Sequence, residues 1–178
     1  MEPLEYDEHG KVILPQPDEI SSRDKEHAAG AYIMMFASQY LPLPLINLLA
    51  ALLYHVFCRK RNRFVAFHTY QSLLSQIPTS LFLWGVIAWA VYYMVSFPFL
   101  HWGQVFDRNF WIVCGVVIIW NILYMIYSII AYRRAGRGKL VYLPVFGRLA
   151  FNRYFGPDAL PATTEERAPA VNRPPGDP

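Results

Sequence analysis

The sequence predicts an all-α, multi-span helical membrane protein, and three observations lead to that prediction. Charged residues make up only 16% of the 178 residues, against about 25% in soluble domains. Residues 81–100 and 110–132 contain no Asp, Glu, Lys or Arg. The second of these segments would be about 34 Å long as a helix, enough to cross a hydrocarbon core of ~30 Å. We therefore expect three membrane-embedded helical units, the first broken at the LPLP sequence of residues 41–44, plus an amphipathic helix at the membrane surface.

The first unit, residues 28–58, is apolar but contains Pro42 and Pro44. Proline removes a helix hydrogen bond and disfavours helix in the residue before it, so the unit should form two short helices. They could stack end to end as one bent span, with an outward N-terminus, or fold as a re-entrant V with an inward one. We favour the bent span, because interrupted membrane helices are common where neighbouring helices cover the freed backbone groups.

Two longer helices follow, predicted over residues 64–97 and 110–134. Pro78 should kink the first of them and Pro98 should end it, and glycines at 136 and 138 should end the second. Trp102 and Trp111 suit the outer membrane interface, which amphipathic rings prefer.

The remaining segments are shorter or more polar. Residues 142–156 are too few to cross a bilayer, and their aromatic and basic residues favour a helix lying on the inner membrane surface, with packing against the bundle as the alternative. We divide the chain into an acidic, mostly irregular tail (1–27), a helical membrane domain (28–156) and a proline-rich tail (157–178). The last has few apolar groups and six prolines in 22 residues, so we expect it to be disordered.

Charge is distributed unevenly along the chain. Residues 1–27 hold eight acids and three bases, whereas residues 133–153 hold six bases and no acid. Basic loops stay on the cytoplasmic side of a membrane, so the basic flanks predict a multi-pass protein of the cell inner (plasma) membrane with these loops inside. Because the cations border apolar segments, we expect the lipid bilayer as a partner and no nucleic acid. The flanks consist of Arg59, Lys60, Arg61, Arg63, Arg133, Arg134, Arg137 and Lys139.

A polar stripe runs along the start of the second helix and faces a similar sector of the third. At about 100° per residue, its members on the second helix fall within one sector, and apolar residues occupy the other side. Polar groups in lipid need partners, so the stripe should face protein or water. The members are His68, Gln71, Ser72, Ser75, Gln76 and Thr79 on the second helix, and Asn121, Tyr124 and Ser128 on the third.

Two interpretations of this stripe stay open, and catalysis has little support beside them. It could hold helices together through hydrogen bonds, which we favour, or line a polar path from the cytoplasm. The path would stop near Thr79, about a third to a half of the way through the membrane. No histidine has metal-ligand spacing, the membrane segments contain no Asp or Glu, and we find no phosphate loop or nucleophile elbow. We therefore predict no enzyme activity, no metal and no cofactor; His68 as a general base is a third hypothesis.

Two phrases carry a family resemblance. "RFVAFHTYQSLLSQ" (63–76) leads into a span, and "IYSIIAYRRAGRGKLVYLPVFGRLA" (126–150) ends a helix in a glycine-basic turn before an aromatic residue and proline. In both, the chain resembles the twenty-kilodalton subunit family of the chloroplast inner-envelope import translocon (the Tic type), and most closely its short bacterial relatives of unknown function. Ala66 replaces a cation expected in that family, and only one broken unit precedes the first phrase here.

These inferences together predict what the chain does. We expect a non-catalytic membrane subunit or assembly factor of a larger complex, whose partners are other membrane proteins or further copies of itself. The alternative is a component of a protein or solute translocation path.

Overall fold

The computed structural model describes residues 12–37, 44–96, 107–156, 159 and 171–176. Within these residues the chain forms five helices, two of which are long and apolar enough to cross a membrane, α3 and α4. The prediction of an all-helical chain with two long apolar helices is confirmed to that extent. The helices are α1 (Ser22–Ala37), α2 (Pro44–Cys58), α3 (Arg63–Ser96), α4 (Arg108–Ala135) and α5 (Phe146–Tyr154).

Helix α1 begins inside the segment that we predicted to be an irregular tail. The Ser21 hydroxyl accepts a hydrogen bond from the Asp24 backbone N–H (3.1 Å) and donates one to the Asp24 carboxylate (2.7 Å). This pairing satisfies an N–H group that would otherwise lack a partner at the helix start. Ser-x-x-Asp is a readable sequence signal for a helix start, and it extends α1 six residues beyond the predicted boundary at Ala28.

Helices α1 and α2 lie side by side as an antiparallel pair, which does not fit the bent span that we favoured and has the shape of the V that was the alternative. The Tyr54 hydroxyl on α2 donates to the His27 backbone carbonyl on α1 (2.9 Å). A Cβ atom on Gly30 would lie 2.6 Å from the same hydroxyl, so glycine permits this close approach. Asp24 at the start of α1 pairs with Arg61 just after α2 (3.3 Å). Both ends of the α1–α2 hairpin are therefore at the same end of the bundle.

Helices α3 and α4 form a long antiparallel hairpin whose two halves differ. The first third of α3 is buried by α1, α2 and α5, whereas from Ile77 onward most of its large side chains are exposed. The proline at 78 lies within the continuous helix. At the far end, the Tyr93 hydroxyl donates to Asp107 (3.2 Å), the N-cap residue of α4. Trp111 is largely exposed there, and Trp102 lies outside the described residues.

Helix α5 packs against α3, as the alternative interpretation of this segment expected. Gly147, Ala150 and Phe151 are buried, and a Cβ on Gly147 would lie 2.7 Å from the Tyr142 Cα atom. Arg148 and Leu149 remain exposed on the outer face. The same helix can therefore contact the bundle on one side and a membrane surface on the other.

Helix α5 starts two residues after Pro144. Val145 has a φ angle of 65°, a conformation that a β-branched residue rarely adopts. The Phe146 N–H donates to the Pro144 carbonyl (2.7 Å), which closes a three-residue γ-turn around Val145. The turn reverses the chain before α5 begins.

Part of the proline-rich tail that we predicted to be disordered is docked on the bundle. The Asn172 side-chain amide donates to the Pro15 carbonyl (2.7 Å) and to the Gly138 carbonyl (3.0 Å), and its carbonyl oxygen accepts from the Leu140 N–H (2.7 Å). Gln16 accepts from the Asn172 backbone N–H (3.2 Å). Composition alone does not reveal this contact, because it depends on one asparagine whose side chain makes three hydrogen bonds to two distant segments.

The hairpin arrangement predicts the sidedness of the N-terminal segment. In a cysteine-free background (Cys58→Ser, Cys114→Ser), we expect Asp18→Cys and Lys60→Cys to react with a membrane-impermeant maleimide from one side of sealed vesicles, and Asn109→Cys from the other. If the cysteine of Asp18→Cys reacted from the same side as that of Asn109→Cys, the result would support the bent span instead.

The docked tail predicts a stability effect. Asn172→Ala should lower the free energy of unfolding by about 1–3 kcal/mol, because it leaves buried backbone groups without partners. Thermal unfolding followed by circular dichroism in mild detergent measures this. Val171→Ala, at a half-exposed neighbour, should change stability by less than about 0.5 kcal/mol; equal effects of the two variants would contradict the docking.

Candidate functional site

The Gln71 side chain is the centre of a buried polar network near the end of the bundle where α1 starts. It is 0% exposed. Its Nε2 donates to the Tyr32 hydroxyl (2.8 Å) and to the Val141 carbonyl (2.9 Å), while its Oε1 accepts from the Leu143 N–H (3.3 Å). One side chain on α3 thereby joins α1 and the segment between α4 and α5.

The directions of these hydrogen bonds are fixed by the backbone groups at their ends. A carbonyl can only accept and an N–H can only donate, so the orientation of the Gln71 amide is determined. Its second N–H points at the Tyr32 oxygen, and the Tyr32 hydroxyl can then donate to His68 Nδ1 (2.8 Å). The tautomer of His68 decides which of these two atoms donates.

Other members of the stripe also bond to neighbouring helices. The Ser72 hydroxyl donates to the Ala31 carbonyl on α1 (2.8 Å), and Ser75 Oγ lies 3.2 Å from the Tyr124 hydroxyl on α4. Thr79 is half-buried and accepts from the Trp120 indole N–H (3.3 Å). Ser72 and Ser75 are 2% and 1% exposed, so the stripe contacts protein and not the surroundings of the bundle.

The α4 residues of the stripe are less uniform. Tyr124 and Ser128 are buried, but the Ser128 hydroxyl donates to the Met125 carbonyl of its own helix (2.8 Å). Asn121 is half-buried and donates to the Val117 carbonyl, also within α4 (2.8 Å). The Tyr124 hydroxyl, in contrast, lies within hydrogen-bond distance of Ser75 on α3.

Two buried residues outside the predicted set extend the network to α2. His55 Nδ1 lies 2.9 Å from the Thr69 hydroxyl, which donates to the Val65 carbonyl (2.9 Å). His55 Nε2 lies 3.3 Å from the Tyr154 hydroxyl on α5. Thr69 lies just outside the sector of the stripe. His55 lies in the last turn of the mostly apolar helix α2. Ala51 and His55 are both buried, and their i, i+4 spacing is the sequence pattern that places His55 on the inner face of α2.

The basic flank residues divide into exposed and engaged groups. Arg63 is half-buried and donates to the Tyr154 carbonyl at the end of α5 (3.0 Å), and Arg61 pairs with Asp24. The others, Arg59, Lys60, Arg133, Arg134, Arg137 and Lys139, are exposed. All of the flank lies at the end of the bundle where the α1–α2 hairpin begins and ends.

The loop that carries Lys139 is held by close contacts. Gly138 has a φ of +76°, and a Cβ there would lie 3.0 Å from the Pro17 Cα atom, so glycine is required. The Tyr142 hydroxyl donates to the Arg173 carbonyl. Burial raises the pKa of the Tyr142 hydroxyl.

A cavity of about 490 Å³ lies beside the network, between α2, α3 and α4. Its wall is partly open, and the described lining residues include no Asp, Glu, Lys, Arg or His. The polar lining consists of Asn47, Gln76, Thr79, Ser80, Asn121 and Tyr124, and the rest is apolar except for Cys114.

The described residues offer no arrangement suited to metal chemistry. Within the part of the chain that the structure describes, no group of three or more His, Cys, Asp or Glu residues could hold a metal ion. His68 is 0% exposed and lies against the Phe64 and Phe67 rings, with centroids at 4.5 and 4.9 Å. A substrate would have no direct access to this imidazole.

Comparison with known families decides the affiliation of the chain. The profile of the magnetosome magnetite crystal formation protein family, MamF/MmsF, matches residues 23–150, which is 128 of the 178 residues. The chain belongs to this family. The MamF/MmsF match and the two long apolar helices support a membrane location. Comparison with curated proteins and with solved structures gave no match.

The MamF/MmsF match corrects the family resemblance drawn from the sequence. The match covers both phrases that resemble the Tic-type translocon subunit, so that assignment is wrong. In this bundle the motifs have structural reasons, since Arg63 bonds to the end of α5 and Gly138 lies against Pro17. Gln71 and Gly138 have structural roles here, and such motifs identify an architecture better than a family.

The Gln71 network predicts a large stability coupling. Gln71→Leu should reduce the free energy of unfolding by about 2–4 kcal/mol, because it strands the Val141 carbonyl and the Leu143 N–H in the interior. In a double-mutant cycle with Tyr32→Phe, we expect a coupling energy of about 0.5–3 kcal/mol. Thermal unfolding in mild detergent measures both, and Asn152→Leu on the exposed face of α5 is the control. Strictly additive effects would show that the two side chains do not form one network.

Proposed function

We propose that this chain is a non-catalytic, multi-pass membrane subunit or assembly factor that acts in magnetite crystal formation by binding other membrane proteins or further copies of itself. The observation that carries the proposal is the family match over residues 23–150. This range takes in nearly all of the five helices, from Ser22 to Tyr154. The shared unit is thus the helical bundle itself.

The placement of charge favours action through partners over direct contact with mineral. Carboxylates are the protein ligands that suit hard cations, and a mineral-binding surface should expose several. Eight of the thirteen acids are in residues 1–27, whereas the segment between α3 and α4 carries Asp107 alone. Asp107 caps α4 by accepting from the Phe110 N–H (2.9 Å) and also accepts from Tyr93.

The same charge distribution supports an orientation. With basic loops on the cytoplasmic side, the exposed arginines and lysines of the flank, the start of α1 and the docked tail face the cytoplasm. The segment between α3 and α4 then faces the opposite compartment. The exposed apolar faces of α2 and α4 offer contact surfaces within the bilayer, either for lipid or for helices of a partner.

Deletion and replacement of the gene in its magnetite-forming host test the proposal. We expect the deletion to change the size or number of magnetite crystals in electron micrographs while cell growth is unaffected, and the unaltered chain to restore them. The Gln71→Leu variant should restore the crystals poorly. The Asn152→Leu variant, the control at an exposed position, should restore them fully. Crystals unchanged by the deletion would overturn the role in magnetite formation.

Purification in mild detergent tests the mode of action. We expect the chain to be recovered with other membrane proteins or as an oligomer, identified by mass spectrometry and light scattering. A strictly monomeric chain without partners would argue against a subunit or assembly factor, whatever the crystals show.

A further inference from the structure

The cavity between α2, α3 and α4 contains a buried acceptor without a partner. Gln76 lines the cavity and is 2% exposed. Its Oε1 atom is buried and has no hydrogen-bond partner among the described residues. Such an atom costs free energy unless a partner is supplied, so it indicates that the cavity has an occupant.

The neighbouring bonds define what the occupant must provide. The Ser72 hydroxyl donates its proton to the Ala31 carbonyl (2.8 Å), so Ser72 Oγ can only accept from Gln76 Nε2, at a long 3.5 Å. This fixes the amide with its nitrogen toward Ser72 and leaves the oxygen as the free group. Gln76 lines the cavity, and its broad terminal torsion lets the side chain adjust to an occupant that bonds to Oε1. The occupant must therefore donate a hydrogen bond.

The surroundings restrict the occupant to a neutral, mainly apolar molecule. The described residues that line the cavity include no Asp, Glu, Lys, Arg or His, and most of them are apolar, including Leu83, Val86 and Ile118. These residues belong to the two helices long enough to cross a membrane, so entry is from the bilayer. A volume of about 490 Å³ lies within the ~300–1,000 Å³ typical of small-molecule sites.

A second protein helix fits this space less well than a lipid. A sphere of that volume is about 10 Å across, whereas a helix with its side chains is ~10–12 Å wide. A lipid can place its polar end beside Gln76 and extend its chain through the open part of the wall. We propose that this cavity binds a neutral lipid bearing a free hydroxyl group, of the long-chain alcohol or diacylglycerol type, whose hydroxyl donates to Gln76 Oε1.

Photolabelling of the full-length protein in phosphatidylcholine nanodiscs tests the site. The probes are a diazirine-bearing sixteen-carbon alcohol and its methyl ether, which has the same chain but no donor. We expect the alcohol to label the cavity-facing residues of α3 and α4 about fivefold more than the ether does, the ratio given by one hydrogen bond of ~1 kcal/mol. Equal labelling by the two probes, or labelling confined to outward faces, would overturn the proposal.

Variants separate recognition by Gln76 from general lipid contact. Gln76→Leu should remove the preference for the alcohol, and Val86→Trp should reduce labelling by both probes because it fills the cavity. Ile119→Ala, on the exposed face of α4, should leave the ratio unchanged. A preference that persists in Gln76→Leu, or a cross-link to a second protein chain at these residues, would refute the hydroxyl assignment. The probe comparison on the unaltered protein needs no variant, so the test stands even if Gln76→Leu does not fold.

Discussion

The structure depends on one constraint: polar side chains near the end of two long apolar helices must find all of their hydrogen-bond partners inside the protein. Gln71 meets this constraint most completely, since its two N–H groups and its carbonyl oxygen all bond to protein groups at 2.8–3.3 Å. If one partner is missing from such a network, a polar group remains unpaired in a low-dielectric interior, which costs free energy. The network therefore requires α1 and the segment before α5 to sit where they do, and it links helices that hydrophobic contact alone would not orient.

The α1–α2 hairpin follows from the same constraint. A bent span would carry α1 toward the far side of the membrane and leave Tyr32 and Ala31 unable to reach Gln71 and Ser72. Folding back places α1 and α2 against the polar third of α3, where α1 supplies the Tyr32 hydroxyl and the Ala31 carbonyl and α2 supplies His55. The proline-broken block is thus a cover for polar residues. It also turns an apolar face outward along α2, with Leu49 and Phe57 54% and 75% exposed.

The boundaries of α3 and α4 could be predicted from the sequence, whereas the packing of α1 and α2 and the position of the C-terminal tail could not. Long charge-free runs and terminal prolines and glycines are local signals, and they placed α3 and α4 within about two residues at each end. The inward direction of the stripe could be inferred because polar groups in lipid need partners. The path of α1 and α2 could not, because either arrangement satisfies the same local pattern. Asn172 docking is the extreme case: its contacts to Gln16 and Leu140 span 156 and 32 residues, and nothing in a proline-rich composition points to them.

The close packing around Gln71 and the cavity beside Gln76 have a common origin. Near Gln71, the missing side chain at Gly147 lets backbone segments approach closely, and the hydrogen bond from Asn172 to the Pro15 carbonyl holds the tail on the same end of the bundle. Backbone groups can therefore hydrogen-bond to both the nitrogen and the oxygen of the Gln71 amide. One and a half turns further along α3, Asn47 of α2 lines the cavity, and α3 contacts α4 through Ser75–Tyr124 and Thr79–Trp120. Gln76 has the same side chain as Gln71, but among the described residues no backbone group bonds to its Oε1. In the proposed complex, a lipid hydroxyl supplies a hydrogen bond to Gln76, as the backbone groups of Val141 and Leu143 do to Gln71. Hydrogen bonding to a buried glutamine then serves bundle stability at one position of α3 and ligand binding at another.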